Sequence, residues 1–151
     1  MILELLILLV ILWIVTGSTI QSHLHNDPDV STKLDFVKST LKSILDKENL
    51  NLPFNVYVSD NRTYVQDKSN IYLVLTKDDD SLYDDNTIIH AAIHELAHVA
   101  CPPVCTVEGC DDHPPLFDVI EGHFLKIAEK MGVYNPKKPL DPTYPCEDLV
   151  A

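Results

Sequence analysis

Apolar residues return along this chain at changing intervals, and each interval predicts a different element. From a cap at Asp29 or Ser31 to about Lys47, the residues Leu34, Val37, Leu41, Ile44 and Leu45 recur at steps of three and four, which is one buried face of a helix. Residues 49–53 end it. Residues 54–58 then alternate and are rich in β-formers, so they predict a strand. A turn over 59–61 leads to Tyr64 and Val65, where a second strand begins. Residues 71–75 are a short unbroken apolar run, the pattern of a strand buried on both faces. An acidic loop covers 76–85.

The second half is helical. Asp84, Asp85 or Asn86 can cap a helix over 87–100 that stops before Pro102 and Pro103. At about 100° per residue, Ile88, Ile89, Ala92, Leu96, Val99 and Ala100 fill most of its girth, while His90, His94 and His98 line the remaining stripe. A helix of this kind is central and presents a site. An irregular loop is expected over 101–113. A last helix runs over 114–131, with proline in its first turn and Gly132 as its stop. Pro136, Pro139, Pro142 and Pro145 make the rest an extended tail draped over the domain.

This is an α+β pattern: a domain over 31–135, a Pro-rich tail over 136–151, and two preceding segments. Residues 2–15 are apolar apart from Glu4, and 16–20 continue with small, weakly polar residues. Counted to Ile20, the segment 1–20 reaches bilayer-crossing length. It predicts a single-pass anchor, with 21–30 as a tether and the membrane as a partner. A cleaved secretory signal is the alternative, although no basic residues precede the apolar run. Four cysteines behind such a segment fit one or two disulfides in an oxidising compartment, with buried thiols and a metal site as the other readings. The 151 residues allow one domain, and a formal charge of −12 argues against nucleic acid as a partner.

The chemistry sits on the central helix. His94-Glu95-Leu96-Ala97-His98 is an H-E-x-x-H sequence. Two histidines four residues apart on a helix can grip one metal ion from the same side, and the adjacent glutamate stands where it can take a proton from water. A catalytic zinc usually takes a third protein ligand. Position 104, where one class of such proteases keeps its third histidine, is Val104. The candidates are therefore His113, His123, Glu121 and the Asp111-Asp112 pair. Phe117, Ile120, Phe124, Ile127 and Met131 form one apolar stripe at helical steps from His113, which favours His113 as the third ligand. His90 lies roughly 12 Å from His98 at about 1.5 Å per residue, too far to share the ion, and is expected to line the cleft. Tyr134, Tyr144 and His123 are candidates for stabilising an oxyanion.

His94-Glu-Leu-Ala-His98, a loop, and then His113-Pro-Pro-Leu-Phe117 resemble the WLM and SprT-like zinc metallopeptidases, which carry H-E-L-x-H followed by H-x-x-x-F at the start of the next helix. The likeness is strongest over residues 83–134 and looks most like short versions found in large DNA viruses, including a Tyr-x-Cys tail compared with Tyr144-Pro145-Cys146. It implies a small zincin-like α+β fold in which a short sheet packs on the H-E-x-x-H helix. It also implies one catalytic Zn2+ on His94, His98 and His113, with Glu95 as acid and base. The expected function is zinc-dependent hydrolysis of protein or peptide bonds, by a protein that is membrane-anchored in host or virion, or secreted. A non-catalytic binding module stabilised by zinc is the alternative. The gap between His98 and His113 is longer than in many members of that group and holds three cysteines, and the chain departs from the group's DNA-protein crosslink proteases in its acidity.

Overall fold

A computed structural model describes residues 28–107 and 109–146. The chain divides into two units, 1–32 and 33–151. In the first, Thr32 Oγ1 donates to the carbonyl of Pro28 in an opening helical turn. Both sheets, the two later helices and the histidine cluster lie in the second.

Helix α1 (Pro28–Lys47) buries Val37, Leu41, Ile44 and Leu45, the face its periodicity predicts. It stops at Asn49, whose positive φ of 54° lets the Leu50 amide turn back to the Leu45 carbonyl. The chain then forms a three-stranded sheet from β1 (Asn55–Val58), β2 (Tyr64–Gln66) and β3 (Asn70–Leu73), in the order β1-β3-β2. The β1 and β3 strands are parallel, with Val56 opposite Ile71, and β2 is antiparallel to β3, with Tyr64 opposite Tyr72.

The 71–75 run is not a strand buried on both faces. Pairing ends at Leu73, and within β3 only Ile71 and Leu73 are fully buried. Tyr72 points the other way and stacks between Tyr57 and Tyr64, at ring distances of 5.2 and 4.8 Å. Val74 and Leu75 continue into the core beyond the end of the strand. An apolar run cannot distinguish two buried faces from one buried face followed by a buried turn.

Helix α2 (Asp85–Ala100) is buried over most of its length and packs against β2, β3 and the last helix. Asp84 caps it, accepting from the amides of Asn86 and Thr87 and from the Thr87 hydroxyl. Segment 101–113 is more ordered than its sequence suggested. Strands β4 (Val104–Thr106) and β5 (Gly109–Asp111) pair antiparallel, with Cys105 opposite Cys110 and disulfide-bonded to it. Gly109 supplies the positive φ the hairpin needs. Cys101 is buried and Cys146 lies outside any disulfide.

Helix α3 (Pro115–Lys130) places Phe117, Phe124, Ile127 and Ala128 in the core. Gly132, at φ 76°, ends it, and the Val133 amide reaches back to the Ala128 carbonyl. Beyond it the chain straps back across the start of α2. The Asn135 amide donates to Asn86 Oδ1, the Asn86 side chain donates to the Lys138 carbonyl, and the Asp141 amide donates to Thr87 Oγ1. Lys77 pairs with Asp141 at 2.7 Å.

The expectation of a single-pass anchor is corrected. No helix among the described residues is long and apolar enough to cross a membrane. Segment 1–20, which carried that expectation, lies outside the described residues.

Candidate metal centre

Three imidazoles meet where α2 faces the start of α3. His94 and His98 are one turn apart on α2, and His113 immediately precedes Pro114, the N-cap of α3. One potential ligand atom from each of the three lies within 4.8 Å of the other two. The Nε2 atoms of His98 and His113 are 3.2 Å apart. Asp111 fixes the backbone at His113, its carboxylate accepting from the His113 amide at 3.0 Å.

Phe117 forms the wall behind them. Its ring lies 5.1, 4.5 and 4.4 Å from those of His94, His98 and His113, and it belongs to a buried cluster with Ala97 and Cys101. It sits in the first turn of α3, four residues after His113, which lies just before the helix cap. An apolar wall of this kind also excludes water from one side of the imidazoles.

Glu121 stands behind His94. Its Oε1 is 2.8 Å from His94 Nδ1, so the buried His94 Nε2 is the nitrogen that could hold an ion. Burial opposes charge on Glu121, but the His94 hydrogen bond and the neighbouring imidazoles outweigh it and hold the carboxyl below its ordinary range. One step further along α2, His90 Nδ1 lies 3.1 Å from the Tyr134 hydroxyl. Burial lowers the His90 pKa, which keeps that imidazole neutral near pH 7. Burial and the charge of Glu121 raise the pKa of Tyr134, whose hydroxyl keeps its proton.

Glu95 is 3 % exposed. Cys146 Sγ lies 3.8 Å from Glu95 Oε1, and ligand atoms of His94, Glu95 and Cys146 form a second group within 4.8 Å. A cleft of about 540 Å³ opens over this end of the helix. Glu95 and His98 face it, Arg62, Tyr64 and Lys68 line it from the sheet side, and Cys146 lines it from the tail.

The other sequence candidates fall elsewhere. Asp112 borders the cleft, while His123 pairs with Glu48 at 2.8 Å. Tyr144 is buried, with its hydroxyl 2.8 Å from Thr63 Oγ1 and donating to the Val74 carbonyl, so it cannot serve as an oxyanion donor. Sequence reasoning weighed Glu121 only as a direct ligand, and it missed Phe117 as the wall and Cys146 as a neighbour of Glu95. A carboxylate one turn after Phe117 on the helix that follows His113 was the available sign for Glu121.

No family model matches the chain, and no solved structure matches it. Its sequence relatives are viral. It is 35 % identical over 89 residues to uncharacterized protein 042R of Invertebrate iridescent virus 3, covering 58 % of this chain and 51 % of that one. It is also 35 % identical over 54 residues to uncharacterized protein R325 of Acanthamoeba polyphaga mimivirus, covering 36 % of this chain and 24 % of the other. The chain thus spans about half the length of the first relative and a quarter of the second.

Proposed function

We propose that this chain is a zinc-dependent metalloendopeptidase of the WLM or SprT-like kind. The observation that carries the reading is the convergence of His94, His98 and His113, with the carboxylate of Glu95 one residue along the same helix. The donors suit the ion. Two nitrogens bound tetrahedrally at about 2.0–2.1 Å from zinc stand roughly 3.4 Å apart, close to the 3.2 Å between His98 and His113 Nε2. Three imidazoles with a carboxylate behind one of them form a donor set for zinc.

When bound, zinc lowers the pKa of a coordinated water and polarises the carbonyl under attack. Glu95 takes the proton of the attacking water and delivers it to the leaving amine. Glu121 holds His94 through Nδ1, fixing the tautomer that turns Nε2 toward the centre. With Tyr144 and His123 committed elsewhere, Tyr134, positioned by His90, is the remaining candidate donor to the developing oxyanion.

The substrate class follows from the cleft. Its sheet-side wall is β2, an edge strand whose ladder faces β3 alone. An extended peptide can lie along such an edge through main-chain hydrogen bonds and bring a carbonyl beside the histidine cluster, within reach of a water activated by Glu95. Burying the Glu95 carboxylate costs free energy, which favours a chemical role for it over a purely structural centre.

The test is metal content and peptide cleavage of the full chain beside its Glu95→Gln form. The expected result is one zinc per chain in both, with hydrolysis suppressed by chelator and reduced by roughly 10²–10⁴-fold in the variant, the range of a general base. Equal activity in the two proteins, or no stoichiometric zinc, would overturn the reading.

A further inference from the structure

Cys146 has no role in the proposed hydrolysis, yet it stands inside the site. Of the other cysteines, Cys105 and Cys110 are joined to each other and Cys101 is packed in the core against Ala97 and Phe117. Cys146 instead projects its sulfur to the carboxylate of Glu95 and to within 4.8 Å of a His94 ligand nitrogen.

The tail delivers it there by specific contacts. Tyr144 is buried, its ring set edge-on to Tyr83 at 4.8 Å and its hydroxyl bonded to Thr63 and Val74. The Pro145 carbonyl accepts from the Thr63 amide at 3.1 Å, just before edge strand β2. The Cys146 amide turns back to the Tyr144 carbonyl at 2.9 Å. The backbone on either side of Pro145 is thus pinned to the sheet-side wall of the cleft, and the thiol is carried to the catalytic end of α2. Peptide contacts from an incoming substrate would compete for the same wall.

We propose that Cys146 is a fourth protein ligand of the centre, so that the resting protein holds its ion in a closed His₃Cys set. This deepens the proposed function and rests on it. Thiolate sulfur is a strong zinc ligand at about 2.3 Å, and a four-coordinate site made wholly of protein side chains keeps no open position for water. The sulfur already groups with His94 and Glu95 rather than with His98 and His113, so ligation requires the Cys146 side chain to turn from the carboxylate toward the histidines. The same side chain masks the general base in one rotamer and fills the fourth position in the other. Withdrawing the tail from β2 uncovers both at once. Latency and substrate access are therefore one event.

Cobalt(II) loading of the full chain tests this directly, beside Cys146→Ser and Cys146→Ala. One cobalt per chain is expected in all three proteins. The wild type should show the near-ultraviolet charge-transfer band of a cobalt–thiolate bond, and both variants should lose it. The zinc-loaded variants should cleave peptide several-fold faster than the wild type. Stoichiometric cobalt without the band in the wild type overturns the ligand role and leaves the metal centre standing. Absence of stoichiometric cobalt from all three overturns the metal centre, and this proposal with it.

Discussion

Glu121 offers the sharpest quantitative check on the proposed metal centre, because it would act on an ion only through His94. Its carboxylate is 2.8 Å from His94 Nδ1, and its side chain is only 19 % exposed, so solvent screens the contact weakly. A hydrogen bond involving a charged group contributes about 1.5–3 kcal/mol, and about 1.4 kcal/mol corresponds to tenfold in affinity. Glu121→Ala removes the whole contact and should weaken zinc binding roughly 10–100-fold, the span seen for carboxylates behind metal-bound histidines. Glu121→Gln keeps an acceptor of the same shape but loses the charge. Since charge-assisted bonds are about twice as strong as neutral ones, its loss should be roughly half as large in free energy, about 3–10-fold. Asp118→Asn removes the same charge from an exposed position on the same helix, and it should leave affinity unchanged. Competition titration against a chromophoric zinc chelator measures all three. Equal losses for Glu121→Gln and Asp118→Asn would refute the reasoning, because the effect would then be the net charge of the protein rather than the hold on His94.

Two further predictions concern the strap over the start of α2. Thr87 is fully buried, with its hydroxyl donating to Asp84 and accepting the Asp141 amide. Thr87→Val therefore strands a backbone donor and should cost about 1–3 kcal/mol in urea denaturation, and a neutral or stabilising result would show that the hydroxyl does not tie the strap to the helix cap. The Lys77 hydrogen bond, with help from Thr143, holds the Asp141 carboxyl down to about 2 from an ordinary value of 3.8. A depressed folded-state pKa means the contact contributes fully above about pH 4 and is lost as pH falls toward 2. Protection of the strap amides, taken relative to intrinsic exchange at each pH, should fall through that window in the wild type. Asp141→Asn should show the reduced protection at every pH, and a carboxyl titrating near 3.8 in the folded protein would sink the assignment.

Much of the helical framework was legible because its signals are local. Asp84 caps α2, Asn49 and Gly132 end their helices in left-handed conformations, and the buried faces of α1 and α3 follow their apolar periods. The misjudged stretches are those decided by contacts distant in sequence. The β4–β5 hairpin is an exception: its Cys105–Cys110 bridge is local, but a cross-strand disulfide fits no apolar periodicity. How much of 71–75 forms a strand depends on where β1 and β2 stop pairing with it.

The candidate metal site divides along the same line. His94 and His98 share one helix, so their spacing alone sets them side by side. His113 depends on where α3 begins, and Pro114 and Pro115 fix that start within a residue. The apolar stripe led by Phe117 then turns the first turn of α3 toward α2. Glu121 is harder to read, since only the rotation of α3 against α2 decides whether it binds an ion or orients His94. Cys146 is harder still. It lies 51 residues from Glu95, and what brings the two together is a phenol hydroxyl on Thr63 and Val74 and a carbonyl on the Thr63 amide. Residues set by the spacing of one helix can be found in the sequence, whereas Cys146 reaches the site only because the buried Tyr144 and the Pro145 carbonyl fasten the tail to Thr63 and Val74.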